Sequence, residues 1–139
     1  MHRNSSSVVL LALMMVASAC ARPQQKPVDC SAAVTQQEMN WCAAQDANKA
    51  ETEMNRALDA LLNKYRKDAV FVQRVKQAQH AWLQFRDAEL AAQFATAPGE
   101  SPQMRYGSMY PLCYSNVKAA LTRHRTEQLE DLLKSGGGC

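Results

Sequence analysis

Through the middle of the chain apolar residues recur at intervals of three and four: Met39, Cys42 with Ala43, Ala47, Ala50, Met54, Leu58, Leu61 and Tyr65. On a 3.6-residue helix that spacing draws a single stripe. It predicts an amphipathic helix from Gln36 to Lys67, uninterrupted by glycine or proline and about 48 Å long at 1.5 Å per residue. Thr35-Gln36-Gln37-Glu38 marks its start, because a threonine and a glutamate three residues on can satisfy each other's free amides as a capping box. Asp68 can cap a second helix, along which Phe71, Val75, Ala78, Trp82 and Phe85 alternate four and three as a heptad seam. That helix is expected to end near Phe94, before Pro98-Gly99 and Pro102.

The stretch Thr96 to Tyr114 reads as a long loop of small, aromatic and polar residues. A third helix, capped at Ser115 or Asn116, presents Val117, Leu121, His124, Gln128 with Leu129, and Leu132. It closes before the glycine-rich tail at 135–139. Nothing alternates with period two beside hairpin turn residues, so the expected class is all-α. Two long helices joined by a short break favour an antiparallel hairpin, packed with the third, C-terminal helix over its exposed seam.

The amino-terminal end carries a different message. A basic start at His2 and Arg3 precedes the apolar run Val8 to Ala17, which at about 10 residues matches a signal-peptide core and is roughly half a membrane span. Residues 1–19 are therefore expected to be a signal peptide. Ser18-Ala19-Cys20 resembles a bacterial lipobox, in which Cys20 carries lipid, while Ala17-Ser18-Ala19 also suits ordinary cleavage. Residues 20–29, polar and proline-bearing, read as a tether to the domain at 30–134.

The chain has five cysteines. Lipidation of Cys20 leaves Cys30, Cys42, Cys113 and Cys139, which can pair fully in any of three ways in an oxidising compartment, whereas simple cleavage leaves an odd thiol. Parity thus favours an anchored, exported protein of the periplasm or cell envelope over a freely secreted one. The mature charge is nearly balanced, because removing Arg3 from 16 basic residues leaves 15 against 13 acidic ones. A surplus of about two gives little pull toward nucleic acid, and no nucleic-acid partner is expected.

Several segments together resemble one family. Cys30 to Cys42 encloses Thr35-Gln36-Gln37-Glu38-Met39-Asn40, and Glu53-Met54-Asn55 and Tyr65 follow. Next come Gln79-His80-Ala81-Trp82-Leu83-Gln84-Phe85-Arg86-Asp87, Gly107-Ser108-Met109-Tyr110-Pro111-Leu112, and Leu121-Thr122-Arg123-His124-Arg125. This set resembles the LprI-like lysozyme inhibitor N-terminal domain over nearly all of residues 30–133, most specifically in Gln79-x-x-Trp82-x-x-x-Arg86-Asp87. The resemblance implies a small exported helical domain, often a lipoprotein, acting on lysozyme or another envelope protein. Leu90 and Val117 stand where members commonly carry cysteines. Against that pattern, a Cys30–Cys42 disulfide is expected, closing about a dozen residues and stabilising by roughly 3 kcal/mol. A Cys113–Cys139 bridge meets a reach problem: the intervening helix is about 30 Å long and the tail spans only about 17 Å.

Gln79, Trp82 and Arg86 fall on one side of the second helix, with Asp87 beside them. Arg86 can fork onto loop carbonyls or a carboxylate such as Glu53 while its stem packs on the indole, so the group is expected to be structural. His80 and His124 lack partners at metal spacing, and no metal or cofactor is expected. Glu51, Glu53, Asp59, Asp87, Glu89, Glu127, Glu130 and Asp131 read as solvated faces. With no nucleophile elbow or phosphate loop, an enzyme is not expected.

That leaves binding. In the stretch read as a loop, Arg105, Tyr106, Ser108, Met109 and Tyr110 combine low-entropy aromatic area with a forked cation, suited to a carboxylate-bearing lysozyme cleft. Many lysozymes are cationic, so affinity would have to come from contacts rather than steering. The alternative is a structural or interaction module docking through leftover apolar seam.

Overall fold

A computed structural model describes residues 27–136. Cys20, Cys139, the signal segment and most of the tether lie outside the described residues, and with them the expected lipid attachment and any Cys113–Cys139 bridge. The described chain is helical without strands: α1 (Gln36–Lys64), α2 (Ala69–Gln93), α3 (Pro102–Tyr106), a 3₁₀ turn (Gly107–Met109) and α4 (Tyr110–Ser135). The all-α class and the packing of two long helices with a third follow the expectation from periodicity.

Local chemistry sets the ends of these helices. At the start of α1 the Glu38 amide donates to Thr35 Oγ1 at 3.2 Å, and the Thr35 amide donates back to Glu38 Oε2 at 2.9 Å, completing the capping box. The bond from the Thr35 amide, with others to the same oxygen from the Thr35 hydroxyl and the Val34 amide, holds the Glu38 carboxyl below its ordinary pKa. α1 stops at Lys64 rather than Lys67, because the chain turns through Tyr65 and the Asp68 amide bonds back to the Tyr65 carbonyl at 2.9 Å. Asp68 then caps α2 as expected, accepting from the Phe71 amide at 2.9 Å. α4 ends on Gly136, whose left-handed φ of 73° lets its amide reach the Leu132 carbonyl. A Cβ there would sit 2.6 Å from the Tyr65 hydroxyl, so the glycine also permits a close approach.

Cross-helix bonds fix the directions. Asn40 donates to the Ser108 carbonyl at 3.0 Å at one end, and Lys64 to the Leu133 carbonyl at 2.6 Å at the other, so α1 and α4 run parallel. Arg86 meets Glu51, and Phe71 meets Tyr65, so α2 runs against α1 and forms the expected hairpin with it. α4 lies closest to α1. Alanines make that possible: Ala47 and Ala50 of α1 pack on Ala119 of α4, all essentially buried, and Ala43 and Ala57 continue the same face. Toward the far end larger groups fill the space between three helices, with Met54, Leu61, Val75 and Leu129 forming the core beside Trp82 and Phe71.

Two predicted faces are rotated. On α2 the buried positions are Val75, Gln79, Arg86 and Leu90, while Ala78 is exposed and Phe85 is 56% exposed. Polar side chains displaced apolar ones because their hydrogen bonds are met inside the bundle. On α4 the buried residues are Ala119, Thr122 and Leu129, and His124 points to solvent beside Glu127. Thr122 tolerates burial by donating its hydroxyl to the Lys118 carbonyl at 2.7 Å.

The Cys30–Cys42 disulfide is present, with Cα atoms 5.6 Å apart, well within the range such a bridge allows. Asp29 accepts from the Ser31 amide and hydroxyl in a local turn, and the bridge to Cys42 holds the segment against the first turns of α1. Leu90 is buried and Val117 half-buried, apolar where the family resemblance led to cysteine.

Leu61→Ala is expected to lower the unfolding free energy by about 3 kcal/mol through the cavity it leaves, and Ala50→Leu by about 1–3 kcal/mol by forcing α1 from α4. Urea denaturation followed by helical circular dichroism measures both.

Candidate protein-binding face

The stretch expected to be a loop is largely ordered helix. Ser101 caps α3 by accepting from the Met104 amide at 3.3 Å, and Pro102 occupies the first turn, where its missing N–H leaves nothing unsatisfied. Gly107 then adopts a φ of 69° that other residues rarely reach, redirecting the chain into the 3₁₀ turn. Pro111 likewise sits in the first turn of α4, so that helix begins at Tyr110, five residues before Ser115. Both prolines mark helix starts, and reading Pro102 as a breaker helped turn helix into loop.

The aromatic residues of this segment face inward. Phe94 from the end of α2 meets Tyr106, Tyr110 and Tyr114 with ring centroids 5.6–5.7 Å apart, two of the three edge-on. The Tyr106 hydroxyl donates to the Ala95 carbonyl at 2.8 Å. Burial, followed by the neighbouring hydroxyls of Tyr114 and Tyr106, pushes the Tyr110 hydroxyl above its ordinary pKa. Of the candidate contact residues, Tyr106 and Tyr110 are therefore half-buried supports.

What faces solvent is the other side. Met109 is 51% exposed, and Arg105 and Ser108 are exposed with it. Met104, 78% exposed, joins them and was not foreseen, because its phase became legible only once Ser101-Pro102 was recognised as a helix start. Arg105 lies over the Tyr106 ring at 5.8 Å and 3.5 Å from Glu100, which steadies it without consuming all its donors. The Asn40 bond to Ser108 ties the segment to α1, where Trp41 is also exposed. The result is a braced ridge of methionine, arginine and serine at one end of the bundle.

The signature residues gather elsewhere, in the body of the bundle. Arg86, its side chain 9% exposed, donates to Glu51 at 2.9 Å and through two nitrogens to Asp87 at 2.8 and 3.0 Å. Its partner is Glu51 and not Glu53, which lies near Lys49 and lines a groove between α1 and α4. Glu51 also takes Lys118 at 3.0 Å, so one carboxylate links all three long helices. The Arg86 guanidinium stacks 5.4 Å from the Trp82 ring, and Arg125 lies 6.0 Å from the same ring. Gln79 donates to Met54 Sδ at 3.4 Å and accepts from Arg125 at 3.0 Å, bridging α1 to α4. Gln79, Trp82, Arg86 and Asp87 thus form one network that ties helix to helix, and its hydrogen bonds, ion pairs and ring contacts do not reach the segment at 98–111.

Among the described residues no three of histidine, cysteine, aspartate and glutamate gather as a metal-ligand set, and no helix is long and apolar enough to cross a membrane.

A sequence profile described as Lysozyme inhibitor LprI matches residues 29–129, which takes in the disulfide loop, α1, α2, the braced ridge and most of α4. The chain belongs to the LprI lysozyme inhibitor family. Both the helix-linking network and the ridge fall inside the LprI match. An uncharacterized protein of Rhizobium meliloti (strain 1021) is 35% identical over 138 residues, covering 90% of this chain and 93% of the relative. No solved structure matches significantly.

Arg86→Ala is expected to lower the unfolding free energy by about 2–4 kcal/mol, since it leaves a partly buried Glu51 to Lys118 alone. Arg86→Lys should recover only part of that, because an ammonium cannot fork onto two carboxylates. Thermal denaturation of both variants checks the order.

Proposed function

We propose that this LprI-family protein is exported, anchored to the envelope through lipid on Cys20, and inhibits a lysozyme by direct contact through the ridge formed by α3 and the 3₁₀ turn. The observation that carries this reading is the combination of family membership with a preorganised ridge, whose exposed Met104, Arg105, Ser108 and Met109 rest on a pinned tyrosine cluster. Rigid support reduces the entropy lost on binding, and methionine adapts to an irregular partner surface. Arg105 supplies a planar fork for a carboxylate, the group that a glycoside-hydrolysing cleft exposes. With only a small positive balance, the protein draws its affinity from these contacts rather than from long-range attraction. It works as a binding protein, without a reaction centre of its own.

A second reading is favoured by one observation. Phe85 and Ala78, expected to be seam, remain exposed on α2, as an interaction module docking on another envelope protein would require.

In a turbidity assay of cell-wall lysis, protein beginning at Cys30 is expected to inhibit at least one lysozyme class at micromolar concentration. Met104→Ala/Arg105→Ala/Met109→Ala should weaken inhibition by about tenfold or more with unchanged helical content. Absence of inhibition across lysozyme classes leaves the module reading. In cells producing the full chain, a radioactive fatty acid is expected to label the protein and to be lost in Cys20→Ser; an unlabelled mature protein refutes the anchor.

A further inference from the structure

Away from the ridge, an apolar crevice of about 220 Å³ opens between α2 and α4, walled by Phe71, Val75, Ala78 and Leu132 above the buried Leu61 and Leu129. Arg74 and Arg125 stand among its lining residues. Among the described residues neither makes an ion pair. Arg74 donates to the Gln77 amide oxygen at 3.2 Å, and Arg125 to those of Gln79 and Gln128 at 3.0 Å each. The carboxylates of α4 are committed elsewhere: Glu127 lies against His124, Asp131 against Lys134, and Glu130 lines the groove on the far side, between α1 and α4.

The contrast with Arg86 is informative. That guanidinium, equally part of the bundle, has two carboxylates, whereas Arg125 is half-buried among neutral partners, and burial pushes its pKa below the ordinary arginine value. A cation withdrawn from water without an anion leaves an electrostatic deficit that an incoming anion would offset. An apolar slot with this half-buried arginine and the exposed Arg74 on its wall is complementary to an alkyl chain ending in an acid. Its volume corresponds to roughly seven waters of liquid, at about 30 Å³ each, which suits part of one alkyl chain and excludes a two-chain lipid.

We propose that the crevice between α2 and α4 binds a single-chain fatty acid, its alkyl chain lying against Phe71, Val75, Ala78 and Leu132 and its carboxylate held by Arg74 and Arg125. The arginine fork matches a carboxylate in two parallel hydrogen bonds, and the apolar walls supply the hydrophobic part of the affinity. The site is independent of the ridge, so it stands whether or not the protein inhibits a lysozyme.

The test is calorimetric titration of the protein beginning at Cys30 with decanoate below its micelle concentration, with decanol and decyltrimethylammonium as matched tails. Saturable one-to-one binding of decanoate is expected, about tenfold tighter than decanol, with none of the ammonium compound. Arg74→Gln, an exposed change that leaves the core intact, should weaken decanoate about fivefold or more and leave decanol unaltered; Arg125→Gln should do the same. Ala78→Phe, which fills the slot from α2, should abolish binding of both. Equal affinity for decanoate and decanol, the lack of saturable binding, or undiminished decanoate binding in the folded Arg74→Gln protein overturns the proposal.

Discussion

The close parallel contact of α1 with α4, alanine on alanine, is the constraint from which the rest of the architecture follows. Two parallel helices cannot be joined by a tight turn, so the chain must return the length of the bundle between them. α2 is that return. It leaves α1 through the short turn at Tyr65–Asp68 and arrives at the opposite end, beside the start of α1, where α3 and the 3₁₀ turn carry it across to α4. The ridge exists because this crossing has to be made, and the tyrosines of α3 and α4 packed on Phe94 hold it in one shape.

Since α4 sits so near α1, α2 rests in a groove between them and faces both. A purely apolar face would satisfy packing but would not define how far α2 slides along that groove. Gln79 and Arg86 make directional contacts to named atoms on α1 and to a partner on α4, so register is tied to hydrogen-bond geometry. Trp82 lies between the two arginines and converts their stems and faces into packing surface. The whole of this network lies within the stretch that matches the LprI family.

The surface of the bundle divides by the same logic. At the crossing end, aromatic rings turned inward leave methionine and arginine outward. In the body, the arginine given two carboxylates is a strut, while the arginines left with amide partners border an open apolar slot. Whether a guanidinium is structural or available depends on the anions within its reach, and residue type alone does not reveal it.

Much of the skeleton was legible along the chain. The helical class, the capping box at Thr35 and Glu38, the Asp68 cap and the buried stripe of α1 were readable because each depends on residues within a few positions of one another. The rotated faces of α2 and α4 were not, since burial of Gln79, Arg86 and Thr122 is permitted only by partners on other helices or by a local carbonyl made available once the helix forms. Pro102 and Pro111 were ambiguous for a similar reason: a proline stops a helix or starts one according to what precedes it in space. Local sequence thus determined where helices form, through hydrogen bonds closed over one turn. Tertiary structure decided which side of each is buried and which arginine is left without a carboxylate, because those outcomes depend on distances between groups far apart in sequence.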